Sequence, residues 1–547
     1  MNWFTNQFKF NLFIYTTVFG LCVSRECNGL PHIIFILCDD MGFNDVGFHG
    51  SNQIPTPNID ALAYSGLILN NYYVNAICTP SRSALMTGKY PIHTGMQHTV
   101  LYGSEPRGLP LTEKILPQHL EELGYVNRIV GKWHLGSWKK EYTPLYRGFV
   151  SHLGYWTGHH DYYDHTAVEN PGWGLDMREN LSIAYNLHGQ YSTDLFTQES
   201  VRLINSHDTS KPLFLYLAHA AVHSGNPYEP LRAPEEEIQK FGYIEDTQRR
   251  KYAAMMTRLD SSVGQVVEAL KNKSMLENSI IVFTTDNGGP AAGFNLNAAS
   301  NYPLRGVKNT LWEGGVRGAA LVWSPLIEKP YRISKQMMHI VDWLPTILDA
   351  ASYNISNLRN LDGLSIWEAL SQNRTSPRNE ILHNIDDIYG NAALTVGQWK
   401  LLTGTTYGGA WDGWYGPSGR EYPYNVSLVV ESQVNKALLS IGRGATVDQM
   451  NILRGQALVK CNKISQAKCD PLKAPCLFNI VDDPCEDNNV ADVYEDILRD
   501  LQDTLAGYNK TALPPGNLPL DPRGDPKNWN YVFTNFGDED AFHCRTI

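Results

Sequence analysis

Cys78 and Arg82 stand one turn apart in the run Cys78-Thr79-Pro80-Ser81-Arg82-Ser83-Ala84-Leu85-Met86-Thr87-Gly88. Pro80 suits a first helical turn, where its missing N–H costs nothing, and Gly88 is a natural stop. Cys78 is therefore expected at a helix N-terminus, where unpaired N–H groups and the helix dipole favour negative charge. Arg82 brings a permanent, fork-shaped cation to the same place. The pair reads as an anion site with a nucleophile in it. For Cys-x-x-x-Arg alone, the competing reading is a buried structural cysteine.

Two doublets of oxygen-bearing side chains suggest a second kind of chemistry. Asp39-Asp40 follows the apolar, β-branched run Ile33 to Leu37, and Asp286-Asn287 follows the β-rich run Ile280 to Thr285. Continuous runs of this kind mark strands buried on both faces of a sheet. Ligands of α/β sheets bind at the C-terminal ends of such strands. Four oxygen-bearing side chains from two strand ends can converge on one hard cation, and calcium suits such ligands. Without a cation the carboxylates would repel and raise each other's pKa.

The elements between these doublets must position the rest. Lys132 and His134, two apart in Gly131-Lys132-Trp133-His134-Leu135-Gly136, are expected on one face of a strand continuing from Arg128-Ile129-Val130. An isolated Lys-x-His would more often be a solvated edge. Pro212 to Leu217 reads as another buried strand, leading into Ala218-His219-Ala220-Ala221-Val222-His223. The aromatic stretch Gly154 to His165 is either a surface for a sugar or aryl ring or a packed loop. From about Asn391 the pattern changes to alternating strands over Ala392 to Leu402, followed by Gly-, Trp- and Tyr-rich loops. This predicts a smaller C-terminal antiparallel sheet and a division into residues 30–388 and 389–547.

The spelling C-T-P-S-R, followed by S-A-L-M-T-G-K-Y-P, resembles the signature of type I sulfatases, and G-K-W-H-L-G and L-R-G-V-K…W-E-G-G-V-R match further blocks of that family. The likeness spans most of residues 30 to 410 and, within the family, is strongest to the arylsulfatase B group, the N-acetylgalactosamine-4-sulfatases. It implies an alkaline-phosphatase/sulfatase-like α/β fold, a large mixed β-sheet flanked by helices with a smaller C-terminal antiparallel-sheet domain. It implies that Cys78 is oxidised to formylglycine by the formylglycine-generating enzyme, and that the hydrate is the nucleophile. It also implies one Ca2+ held by Asp39, Asp40, Cys78, Asp286 and Asn287. In this reading Arg82 activates the nucleophile, and Lys132, His223 and Lys308 hold the sulfate and assist the leaving alcohol. His134 is the base that restores the aldehyde by elimination. His219 is a supporting candidate. Glu313, Arg317, His339 and Asp342 are expected to be architectural. A phosphatase of the same superfamily would carry Ser or Thr at position 78, and a catalytically silent relative would be expected to have lost one or more of these residues.

Composition bounds the setting. With 547 residues two domains are expected. The formal net charge of −11 excludes broad adhesion to nucleic acid or other polyanions, so an anionic substrate needs a local basic pocket. Lys9 ahead of the apolar run Phe10 to Val23 predicts a secretory signal over residues 1–24, and no later segment is apolar enough for a membrane span. Sequons at Asn180, Asn272, Asn354, Asn373, Asn425 and Asn509 agree with that route, to the lysosome or the outside. Cys461, Cys469, Cys476 and Cys485 are expected to form local disulfides, since no paired C-x-x-C or neighbouring His supports zinc. Cys38 is expected to be an inert core residue. The substrate expected is N-acetylgalactosamine-4-sulfate in glycosaminoglycans, or alternatively a small aryl or glucosinolate-type sulfate ester.

Overall fold

A computed structural model describes residues 29–461 and 468–538. The expected leader over residues 1–24 lies outside them.

The apolar runs become the centre of a ten-stranded mixed sheet. Strand β1 (His32–Cys38) is fully buried. To one side run β2 (Val126–Lys132), β3 (Ser151–Tyr155) and β4 (Leu213–Ala218), with β4 next to β1, then β2, then β3, all parallel. On the other side β5 (Ser279–Thr285) pairs parallel with β1, and β6 (Ala320–Trp323) pairs antiparallel with β5. Alternation along β1 divides the core. Ile34, Ile36 and Cys38 face one hydrophobic layer, and Ile33, Phe35 and Leu37 face the other. The first layer includes helices α1 (Pro57–Ser65), α3 (Ser192–Ser206) and α4 (Thr247–Asn272). The second includes α2 (Cys78–Thr87) and α5 (Trp343–Ala350). Cys38 is buried in the core as expected.

Strand register decides where the chain leaves the sheet. Leu37 lies opposite Ala218, Cys38 opposite Thr285, and Ala218 opposite Gly131. The four parallel strands therefore end level, and the segments after them emerge along one edge. Gly131 is required there. Its φ of +102° is left-handed, and a Cβ would lie 1.9 Å from the Ala218 carbonyl oxygen.

The smaller antiparallel sheet has four strands, β7 (Glu380–Asp386), β8 (Asn391–Val396), β9 (Trp399–Thr403) and β10 (Cys476–Asn479). Its first strand precedes the division expected at 388/389. The helices Gln433–Ser440 and Val447–Ala457, placed in the C-terminal unit by sequence, bury Val434, Leu438, Met450 and Leu453 in the same layer as α1 and α4. The reason is physical: apolar helix faces pack on the large layer available rather than on the nearest sheet in sequence. Disulfides join Cys461 to Cys485 and Cys469 to Cys476. All six sequon asparagines are exposed. Among the described residues no helix is long and apolar enough to cross a membrane.

Candidate active site

The level strand ends deliver the site. Asp39 and Asp40 follow β1, Asp286 and Asn287 follow β5, Lys132 ends β2, and His219 to His223 follow β4. Successive residues on a strand point to opposite faces. Asp40 escapes this because its φ of 60° is left-handed, turning the chain so that both carboxylates serve one cavity. Its N–H donates to Asp286 Oδ1 at 3.3 Å. Asn287 Nδ2 donates to Asp40 Oδ1 at 2.7 Å.

Cys78 opens α2, whose N-cap is Ile77 and whose C-cap is Gly88 with φ 66°. The thiol is buried, and its Sγ lies 3.6 Å from Asp39 Oδ1. Burial pushes the thiol up to about 12, against the pull of Lys132 and Lys308. Arg82 points its fork at Asp286 Oδ2, with Nε at 3.1 Å and Nη2 at 2.9 Å, and reaches Asp39 Oδ1 at 3.7 Å.

Two lysines complete the charge. Lys132 Nζ is 2.6 Å from Asp39 Oδ2, and Lys308 Nζ is 2.7 Å from Asp40 Oδ2. Asp39, Asp40 and Asp286 thus face Arg82, Lys132 and Lys308, with all six side chains fully buried. Burial raises Asp40, with Lys308 opposing, and burial and then Asp39 raise Asp286, with Arg82 opposing. The balance of three negative and three positive charges changes once a divalent cation is added. The site then carries two net positive charges and attracts an ester sulfate.

His223 Nδ1 lies 2.5 Å from the Ser224 carbonyl oxygen, so this nitrogen carries the proton. Nε2 is left as an acceptor, 3.2 Å from Lys308 Nζ and 3.1 Å from Asn295 Nδ2. Burial, Lys308 and Lys132 hold its pKa well below the ordinary value. His134 lies beyond the end of β2, in the left-handed region at φ 59°, so strand alternation does not place it. Its Nε2 is 2.9 Å from the Leu101 carbonyl oxygen and its buried Nδ1 has no partner. Burial, Lys132 and Arg82 depress it strongly.

The cluster suits a hard cation. Ligand atoms of Asp39, Asp40, Cys78 and His223 lie within 4.8 Å of one another. Asn287 Oδ1 is a buried acceptor with no hydrogen-bond partner, the condition a cation would relieve. Asp286 contributes from the side, tied to Arg82 and the Asp40 N–H.

Several residues fall elsewhere. His219 turns away from the cluster, its Nε2 3.0 Å from Ser262 Oγ. Glu313 is paired with Lys400, and Arg317 donates to the Asn70 carbonyl oxygen. Asp342 accepts from the His339 N–H and from Arg378. Most of Gly154 to His165 is packed: Tyr155, Trp156, His160 and Tyr162 are buried. The Tyr162 hydroxyl meets the carbonyl oxygens of Ala220 at 2.9 Å and His223 at 2.8 Å, steadying the turn that carries His223. His159 is the exception, its ring stacked on His223 with centroids 6.0 Å apart. Asn295 and His159 carry no motif, and only the proximity of His159 to other aromatics marked it in sequence.

The sulfatase family model matches residues 31–353 of this chain. Arylsulfatase J of Mus musculus is 40% identical over 518 residues, covering 91% of this chain and 79% of that protein. N-acetylgalactosamine-6-sulfatase of Homo sapiens is 32% identical over 388 residues, covering 68% of this chain and 71% of that protein. The crystal structure of Ps i-CgsB in complex with k-i-k-neocarrahexaose superposes with a TM-score of 0.70 at 27% identity, covering 92% of this chain and 97% of that one. The chain belongs to the sulfatase family and is a sulfuric ester hydrolase.

Proposed function

We propose that this enzyme removes sulfate from a ring-bearing alcohol, using Cys78 matured to formylglycine and one Ca2+. The observation that carries this reading is the convergence of three buried carboxylates, three buried cations and Cys78 at one helix N-terminus. Asp39, Asp40, Asp286, Asn287 and the matured residue 78 would hold the ion, which supplies charge and Lewis acidity when bound. A thiol pushed up to about 12 is a poor nucleophile near neutrality. Conversion to an aldehyde hydrate replaces it with an uncharged oxygen nucleophile.

The chain's own residues then do four things. Arg82 is locked on Asp286 and also reaches Asp39, the carboxylate beside Cys78 Sγ, so its fixed positive charge sits next to residue 78. Lys132 and Lys308, each already held by a carboxylate, offer fixed positive charge where negative oxygens accumulate in the transition state. Lys308 carries the protons available to a departing alcohol, while His223 accepts from it and keeps it aimed. His134 presents an unpartnered buried nitrogen, the group that a base for the second half-reaction needs.

For the substrate, the leading reading is N-acetylgalactosamine-4-sulfate at the end of a glycosaminoglycan chain. The N-acetylgalactosamine-6-sulfatase among the relatives supports the sugar in this reading, not the position of its sulfate. A second reading, small aryl or plant-derived glucosinolate-type esters, is favoured by the aromatic mouth. Phe294 lies over Lys308 with the Nζ 5.4 Å from the ring, and Tyr407 meets Asn309 at 3.3 Å. Maturation would take place in the secretory pathway, with the enzyme delivered to the lysosome or exported.

Peptide mass spectrometry across Cys78, together with calcium analysis of the active protein, tests the reading. The expected peptide carries an aldehyde or its hydrate in place of the thiol. Fully active protein with an intact Cys78 thiol would overturn it.

A further inference from the structure

A cleft of about 1060 Å³ opens beside the catalytic cavity, on the other side of the segment 291–296. Phe294 and Asn295 of this segment face Lys308 and His223. Ala291 and Leu296 line the cleft instead. The volume lies just above the range for ligand pockets, roughly 300–1,000 Å³, and exceeds what one sugar ring requires.

An aromatic track connects the two spaces. Tyr407 accepts from Asn309, the neighbour of Lys308. Trp411 lies against Gly293, where a Cβ would come within 3.1 Å of the indole. Its ring centroid is 6.3 Å from that of Trp414, whose Nε1 donates to the Ala291 carbonyl oxygen at 3.0 Å. Trp414 is 51% exposed and Tyr415 39%, and across the cleft Tyr243 is 47% exposed. Large aromatic faces left half open inside a concavity mark a binding surface rather than ordinary exposure. Rings with polar edges suit the alternating apolar faces and hydroxyls of pyranoses.

Charge narrows the ligand. Among the described residues lining the cleft the one cation is Arg249, whose Nε and Nη1 serve Gln53 at 2.8 Å, Asp45 at 2.7 Å and the Ala298 carbonyl oxygen at 2.9 Å, and whose Nη2 is without a partner but buried away from the cleft solvent. The other charged lining residues are Glu245 and Asp246. Such walls repel uronates and further sulfates and accept uncharged sugars.

We infer that this cleft is a saccharide subsite holding uncharged pyranose units joined to the ring that bears the sulfate ester. The inference rests on the sulfatase reading of the neighbouring cavity but departs from the glycosaminoglycan substrate, whose ring next to the sulfated N-acetylgalactosamine is a uronate: it makes the substrate an oligosaccharide with a neutral stem.

The test compares kcat/KM on 4-nitrophenyl sulfate, on a terminally monosulfated hexose and on two tetrasaccharides, with binding of a third. One carries the same sulfated end on three uncharged hexopyranoses, the second has uronates at alternate positions, and the third is the unsulfated neutral chain, used for binding alone. The wild type is expected to favour the neutral tetrasaccharide over the monosaccharide by tenfold or more, and over the uronate chain. Trp414→Ala should lower the ratio of tetrasaccharide to aryl activity about tenfold, mainly through KM. Equal rates on monosaccharide and neutral tetrasaccharide, a preference for uronates, or a proportional loss on all substrates in Trp414→Ala would each overturn the subsite. If Trp414→Ala does not fold, Tyr415→Ala and quenching of wild-type tryptophan fluorescence by the unsulfated neutral tetrasaccharide give the same decision. Wild type that hydrolyses no sulfate ester but binds that tetrasaccharide would refute the sulfatase reading and leave the cleft assignment standing.

Discussion

Two buried ionic clusters lie a few residues apart on the chain and behave differently. Around Asp39 and Lys308, the carboxylates and cations leave Asn287 Oδ1 without a partner and an arginine nitrogen, Arg82 Nη1, without an acceptor. Around Lys400, the ammonium sits 2.9 Å from Glu313 Oε1 and 2.8 Å from Glu486 Oε1. There Tyr73 donates to Glu313 at 3.0 Å, and the Glu313 N–H donates to Glu486 at 2.7 Å. Both clusters are fully buried. The second is closed in that it pairs each of its charges, Glu486 Oε1 with Lys400 as an ion pair without hydrogen-bond geometry, and it joins the small sheet to the segment that carries Lys308. The first is open, leaving an amide oxygen and a guanidinium nitrogen with no partner of either kind. Burial of charge therefore does not identify a site. Unpaired acceptors and cations at a strand-end edge do.

The largest separation between the clusters should come from the nucleophile. Cys78→Ala is expected to lower kcat by at least about 10³-fold while thermal unfolding stays within a few degrees of wild type, because the small buried side chain makes few contacts. Activity above one tenth of wild type would remove Cys78 from the chemistry.

Metal removal is the next test. Chelation of the open cluster should abolish activity and lower stability by about 3 kcal/mol if the ion normally stands near a hundredfold over its Kd. Calcium should restore both. Restoration by zinc but not by calcium or magnesium would contradict the oxygen-rich ligand set. The closed cluster offers an ammonium to each carboxylate and should not respond to chelation at all.

Lysine replacements divide the two clusters further. Lys308→Met should lower kcat by about 10²- to 10³-fold, the scale of removing one preorganised donor. Lys400→Met leaves two buried carboxylates facing each other and should cost about 3–5 kcal/mol of stability, with kcat at saturating substrate changed by less than about tenfold. Unfolding midpoints in denaturant alongside initial rates would show this. A Lys400→Met enzyme that keeps its stability but loses turnover would place Lys400 in the chemistry.

The open cluster was legible in sequence because chemistry restricts residue types. A hard-cation site of the kind proposed takes carboxylates or amides at Asp39, Asp40, Asp286 and Asn287, and the strands before them are apolar on both faces, so each doublet appears after a run such as Ile33 to Leu37. The helix Cys78–Thr87 was legible from Pro80 and Gly88, which act locally. The closed cluster was not. Lys400 lies on an alternating strand and Glu486 follows Cys485, and neither position carries a spacing that announces its partner. Asn295 and His159 escaped for the same reason, since folding and not sequence distance brings them to His223. His134 was assigned to the site by motif, and the strand argument given with it fails, because the strand stops at Lys132. The helices 433–440 and 447–457 show that an amphipathic face states that it will be buried but not against which sheet.

The smallest effect expected is a pH dependence of the closed cluster alone. Burial, with Glu313 adding, lifts Glu486 to about 7, while Lys400 pulls against it. In the unfolded chain a glutamate titrates near 4.3. Folding therefore binds a proton in the interval between these values. The stabilising contribution is complete below about 4.3 and is lost as pH rises through 7. Glu486→Gln keeps the shape and removes the titration, so its unfolding free energy should change less between pH 5 and pH 7.5 than that of wild type. The difference should reach about 3 kcal/mol at most for a shift of this size. Rates on an aryl sulfate at each pH, divided by folded fraction, should be the same for both proteins if the cluster is purely architectural. A variant whose unfolding curve keeps the wild-type pH slope would show that Glu486 is ionised throughout and paired with Lys400 as a simple buried salt bridge.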